Sequence, residues 1–77
     1  MYIIWSKDNC INCNKAKSLL ESKGFSYEER VIGKEYSRED LLECVPNAKS
    51  VPQIFYNNEY IGGFDSLLSK LNVSWII

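Results

Sequence analysis

Cys10 and Cys13 stand three residues apart, with Ile11 and Asn12 between them. On the first turn of a helix, two thiols at that spacing reach one another without bending the backbone. A disulfide needs Cα atoms about 4.4–6.8 Å apart, and one helical turn supplies that separation. The helix start also offers unpaired N–H groups and a partial positive charge, which favour a thiolate over a thiol. The chemistry implied is a two-electron dithiol–disulfide switch. Cys10 comes first, at the more exposed helix end, with Lys7 three residues earlier, and is assigned as nucleophile. Cys13 lies one turn deeper and is assigned to attack a mixed disulfide on Cys10 and release the partner. A CxxC pair also serves as half of a zinc site or as a structural disulfide. A closed zinc site wants four Cys or His ligands, and this chain has no histidine and only one further thiol, Cys44. The absence of histidine also removes any Cys–His nucleophilic pair.

The elements that must hold this pair are legible around it. Tyr2-Ile3-Ile4-Trp5 is an apolar run suited to a buried strand. Ser6 to Asn9 reads as the loop into a helix, with Asp8 or Asn9 as its cap. From Asn14 to Lys23, Ala16, Leu19, Leu20 and the stem of Lys23 form one face, and Gly24 is a suitable stop. Phe25 to Val31 alternates, with Phe25, Tyr27 and Val31 on one parity, and reads as a second strand. Strand, helix and strand in this order form a right-handed parallel βαβ unit. A CxxC at its first turn points to a thioredoxin-like fold.

After a loop, Ser37-Arg38-Glu39-Asp40 matches a capping box and opens a short helix whose face is Leu41, Leu42 and Val45. Cys44 falls beside them and reads as a small core or half-buried residue, with an exposed regulatory thiol as the alternative. Pro46 and Asn47 end that helix. Gln53 to Tyr56 and Glu59 to Ile61 form a hairpin about Asn57-Asn58, since asparagine tolerates positive φ. Gly62-Gly63 breaks the last strand, and Asp65 is expected to cap a third helix with Leu67, Leu68 and Leu71 inside. The order is β-α-β-α-β-β-α in one domain over residues 1–77. The apolar tail at Val73, Trp75, Ile76 and Ile77 is expected to pack back on the domain.

The composition excludes several classes. A net charge of −1 argues against nucleic acid and anionic membranes as partners. No apolar run approaches the roughly 18 residues of a membrane span, and the N-terminus lacks a leader pattern. Three cysteines, an odd number, fit a reducing cytoplasm better than a disulfide-held secreted domain.

Two further stretches bear on the site. Pro52, after Val51 at a strand start, is either an ordinary trans proline or a cis one that turns Val51's backbone toward the thiols. In Gly62-Gly63-Phe64-Asp65, the glycines permit close approach and the helix start can hold a carboxylate; a plain turn with an Asp cap is the alternative.

Ser6-Lys7-Asp8-Asn9-Cys10-Ile11-Asn12-Cys13, Ser50-Val51-Pro52-Gln53-Ile54-Phe55 and Ile61-Gly62-Gly63-Phe64-Asp65, in this order and spacing, resemble a glutaredoxin over nearly the whole chain. The resemblance implies a thioredoxin fold, a four-stranded mixed sheet flanked by three helices. It implies a glutathione-dependent disulfide oxidoreductase, with Cys10 as catalytic thiolate, Cys13 as resolving thiol and no bound cofactor or metal. Val51 and cis-Pro52 would meet glutathione's cysteinyl unit. Lys7 and Gln53 would lie near its glycine carboxylate, and Gly63, Phe64 and Asp65 would hold the γ-glutamyl end. Partners implied are glutathione and disulfide-containing proteins, acting on a monomer. Three features depart from the family pattern: Ile11 and Asn12 replace proline and an aromatic, Ser50 replaces threonine, and the tail is additional. The size and CxxC interior also resemble phage-type glutaredoxins and the redoxins serving ribonucleotide reductase. Two other readings stay open: a redoxin recharged by thioredoxin reductase, and an iron–sulfur cluster held between two subunits by Cys10 and glutathione.

Overall fold

The computed structural model describes residues 1–71, so the tail at Val73 to Ile77 lies outside the described residues. The chain runs β1 (Tyr2–Ser6), α1 (Ile11–Ser22), β2 (Tyr27–Val31), α2 (Arg38–Cys44), β3 (Gln53–Tyr56), β4 (Glu59–Gly62) and α3 (Phe64–Lys70). The sheet has four strands in the order β2-β1-β3-β4. β1 pairs parallel with β2, as the βαβ expectation requires, and antiparallel with β3. β3 and β4 form the hairpin, with Asn57 and Asn58 at φ 50° and 70°, the left-handed pair that a two-residue turn needs.

Alternation along β1 sends Tyr2 and Ile4 to the face that receives α1 and α3. There they join Ala16, Leu19, Leu20, Ile54 and Leu67 in one buried cluster. α1 anchors it because Ala16, Leu19 and Leu20 recur at helical spacing. α1 ends where Gly24 takes φ 78°, with the Phe25 amide donating to the Leu20 carbonyl and the Gly24 amide to that of Glu21, a Schellman closure. Lys23 is exposed and gives no stem to the core, and Phe25 is an exposed residue ahead of β2 rather than its first member. On the other parity, Trp5 meets Tyr36 edge-on at 5.3 Å, and the Arg30 guanidinium lies 5.2 Å from each ring.

α2 opens on the expected capping box: the Asp40 amide donates to Ser37 Oγ, and the Ser37 amide to the Asp40 carboxylate. Cys44 closes this helix and is exposed, not half-buried. A helix of only seven residues makes about two turns, and Cys44 at its end stands clear of the core.

Candidate active site

Cys10 is itself the cap of α1. Its backbone is extended (φ −105°, ψ 109°), and its Sγ accepts the Cys13 amide hydrogen at 3.1 Å. Neither Asp8 nor Asn9 caps the helix. Asn9 takes φ 62° to turn the chain, and Asp8 reaches Lys34 at 3.6 Å. Sulfur thus occupies the place where serine or aspartate usually satisfies the first free N–H groups. No acidic side chain sits in the first turn of α1 to offset its positive end. When the disulfide opens, the same N–H and end charge stabilise the Cys10 thiolate.

Cys10 and Cys13 are joined as a disulfide with their Cα atoms 5.2 Å apart. Cys10 is partly exposed, and Cys13 is buried at 1% exposure. Of the two sulfurs, only that of Cys10 is open to a second molecule. Ile11 projects beside them at 72% exposure.

The Val51–Pro52 peptide bond is cis. It brings the Val51 carbonyl oxygen to 3.7 Å from Cys10 Sγ, so a segment far away in sequence forms one wall of the thiol site. Gln53 is buried and anchors this wall: its Nε2 donates to the Ser50 carbonyl at 2.8 Å, and its Oε1 accepts from the Tyr60 hydroxyl at 2.5 Å. Behind that wall stands Gly62-Gly63. Gly62 sits at φ 125°, where a Cβ would lie 2.7 Å from Ser66 Oγ, so glycine is required. A Cβ on Gly63 would lie 3.6 Å from the Pro52 carbonyl oxygen, so the start of α3 abuts the proline loop. Gly63, not Asp65, is the N-cap; Asp65 lies exposed in the first turn of α3 and makes no cap hydrogen bond. Phe64 is half-buried against the core.

Beside Val51 a cleft of about 220 Å³ is lined by Lys7, Arg38 and Lys49 together with Ile32, Leu41, Leu42, Ala48 and Ser50. It has three cations and no carboxylate in its wall. Arg38 and Lys49 escaped the sequence reading, because only folding brings the start of α2 and the loop before Pro52 to Lys7. Among the described residues, no group of three or more His, Cys, Asp or Glu could hold a metal ion. No helix among them is long and apolar enough to cross a membrane.

A second polar cluster links α1, β1 and β2. Glu29 Oε2 accepts from Lys17 Nζ at 2.8 Å and from the buried Ser6 hydroxyl at 2.6 Å. Burial opposes ionisation of Glu29, but the bonds from Lys17 and Ser6 and the charges of Lys17 and Lys34 outweigh it. The carboxyl is held below the usual carboxylate range.

The glutaredoxin family model matches residues 2–61. Glutaredoxin 3 of Escherichia coli K12 is 42% identical over 65 residues, spanning 83% of this chain and 77% of that protein. Among solved structures, glutaredoxin 1 of Francisella tularensis, complexed with cacodylate, superposes with a TM-score of 0.80 at 26% identity, covering 92% of this chain and 91% of that one. A buckwheat glutaredoxin–glutathione complex also gives 0.80, at 27% identity, covering 92% of this chain and 67% of that one. A half-exposed thiol capping a helix, a sheltered second thiol one turn behind it and a family match through both make this a thiol–disulfide oxidoreductase; the chain belongs to the glutaredoxin family.

Proposed function

We propose that this protein reduces protein disulfides and glutathione mixed disulfides with glutathione as its reducing co-substrate. The reading rests chiefly on the convergence of Cys10 with the Val51 carbonyl on one side and a three-cation cleft beside it. Glutathione is a tripeptide with two carboxylates flanking a thiol, and each part has a complement around Cys10. Val51, ahead of cis-Pro52, offers its backbone to the cysteinyl unit like a short added strand. Lys7, with Arg38 and Lys49, receives the glycine carboxylate through charge-assisted bonds. The Gln53 amide already serves Ser50 and Tyr60, so its part in the site is to hold the Ser50–Pro52 wall in place. The backbone of Gly63 and Phe64 and the side chain of Asp65 take the γ-glutamyl end, Asp65 pairing its ammonium group.

In the reaction, the Cys10 thiolate attacks the substrate disulfide. One thiolate leaves, and Cys10 is left in a mixed disulfide. With a dithiol client, Cys13 then attacks Cys10, closing the Cys10–Cys13 bond and freeing the second client thiol. Glutathione reopens that bond in two exchanges, ending as oxidised glutathione. We place this in the reducing cytoplasm, on a monomer without bound cofactor; ribonucleotide reductase is one disulfide client to test.

The deciding experiment supplies one reductant at a time. Glutathione with glutathione reductase should sustain turnover, and thioredoxin reductase alone should not. Turnover with thioredoxin reductase alone would replace this reading with that of a redoxin independent of glutathione. Within the glutathione reading, Cys13→Ser should keep reduction of small glutathione mixed disulfides and lose reduction of dithiol clients. Loss of both would defeat the division of roles.

A further inference from the structure

The reaction leaves one difficulty unaddressed. Cys13 must ionise before it can attack, yet it is 1% exposed, and burial disfavours a thiolate. The helix-end N–H that serves Cys10 is donated by Cys13's own amide to Cys10 Sγ, so it does nothing for the Cys13 sulfur. Some other charge must lower the cost.

Lys17 follows Cys13 by four residues on α1, so the two side chains leave neighbouring positions on one helix flank, about 5–6 Å apart at Cβ. A surface lysine at such a position would ordinarily extend into water. Here it is turned inward by Glu29 on β2, whose Oε2 is in turn pinned by the buried hydroxyl of Ser6 at the end of β1. Three elements thus fix the ammonium of the residue that stands one helical turn after the resolving thiol. The charged groups around this end of α1 are Lys15 and Lys17 from the helix, Glu29 from β2, Lys7, Asp8 and Lys34 from the flanking loops, and Asp65 from the first turn of α3. β1 adds only the Ser6 hydroxyl. Phe64 and Leu67 of α3 are apolar.

We propose that Lys17 and Glu29 are positioning residues for the resolving step: Lys17 promotes ionisation of Cys13, and Glu29 both anchors Lys17 and restrains it. The step is closure of the mixed disulfide. The Cys13 thiol gives its proton to solvent, its thiolate forms the bond to Cys10 Sγ, and the bond from Cys10 to the partner sulfur breaks. The departing thiolate takes up a proton, so electrons and protons balance without another reagent. This inference rests on the dithiol mechanism and not on which reductant recharges it.

The two charges act in opposite senses, which separates electrostatics from simple loss of structure. Protein carrying a client mixed disulfide on Cys10 is mixed rapidly, and release of the client thiol is followed across pH. Lys17→Gln should slow closure on the order of tenfold at neutral pH and move its pH midpoint upward, about one unit per tenfold. Glu29→Gln retains an amide oxygen for Lys17 and Ser6 but removes the negative charge; it should speed closure severalfold and move the midpoint down. Lys17→Arg should restore most of the lost rate. In a Cys13→Ser background, the attack of Cys10 on a small mixed disulfide should not show these opposed shifts. Unchanged closure in Lys17→Gln, or slowing in both Gln variants, would overturn the proposal. Failure of glutathione as reductant would leave the closure measurement intact, so the two readings fail separately.

Discussion

Cys10 and Cys44 are the same side chain placed at opposite ends of two helices. Cys10 caps the positive end of α1, accepts an amide hydrogen bond and faces the Val51 carbonyl across a built wall. Cys44 is the last residue of α2, where free carbonyls give the end a partial negative charge and no basic residue stands in the last turn. It shares a shallow hollow with Trp5 and Arg30, but that guanidinium is engaged by Glu28 at 2.6 Å and by two rings. Both thiols can be reached by solvent, yet only Cys10 accepts an amide hydrogen at a helix start and faces the Val51 carbonyl. Reactivity in this fold follows from where the helix points, with exposure a secondary requirement.

Replacement by serine puts the largest effect on that contrast. Cys10→Ser should cost on the order of 10³-fold or more in turnover. Cys44→Ser should leave turnover within about twofold. An equal loss in both would make the contrast false.

Alkylation compares the thiols in one molecule. In reduced Cys13→Ser protein near pH 6, Cys10 should react at least about tenfold faster than Cys44, because the thiolate is the nucleophile. Peptide mapping after a short pulse of iodoacetamide reads both sites.

Lys7→Gln sharpens the account of the cationic cleft. It should raise KM for a glutathione mixed disulfide about tenfold, the worth of one charge-assisted bond. Cys44 alkylation in the same variant should not change.

The smallest effect concerns the Ser6–Lys17–Glu29 cluster behind α1, which has no counterpart at Cys44. The Glu29 carboxyl lies lower in the folded protein than in the unfolded chain. Its stabilisation is therefore complete above the ordinary carboxylate range and is lost as pH falls through the lowered folded value. Glu29→Gln should cost about 1 kcal/mol at neutral pH and less in acid, so denaturant curves of the two proteins should converge as pH falls.

Most of the fold was legible because its signals are local or periodic. Ala16, Leu19 and Leu20 mark α1, Ser37 and Asp40 mark the start of α2, and Asn57-Asn58 allows only a tight turn. Three placements followed other physics. Cys44 shares helical spacing with Leu41, but α2 ends before anything covers it. Asp65 resembles a cap, but the Gly62-Gly63 turn sets the helix start two residues earlier. Cys10 was read for its redox chemistry and not as a cap, since sulfur is seldom counted among capping acceptors. In the site, the thiols and their order are written in one short stretch. The cleft of Lys7, Arg38 and Lys49 and the cluster of Ser6, Lys17 and Glu29 exist only once distant segments meet, which residue spacing does not encode.

The central claim is that Cys10 alone is built to receive glutathione. Cys13→Ser protein incubated with oxidised glutathione, then digested and weighed by mass spectrometry, tests it in one step. A single glutathione is expected on the peptide carrying Cys10, with Cys44 free. Glutathione on Cys44 to the same extent, or on neither residue, would contradict it.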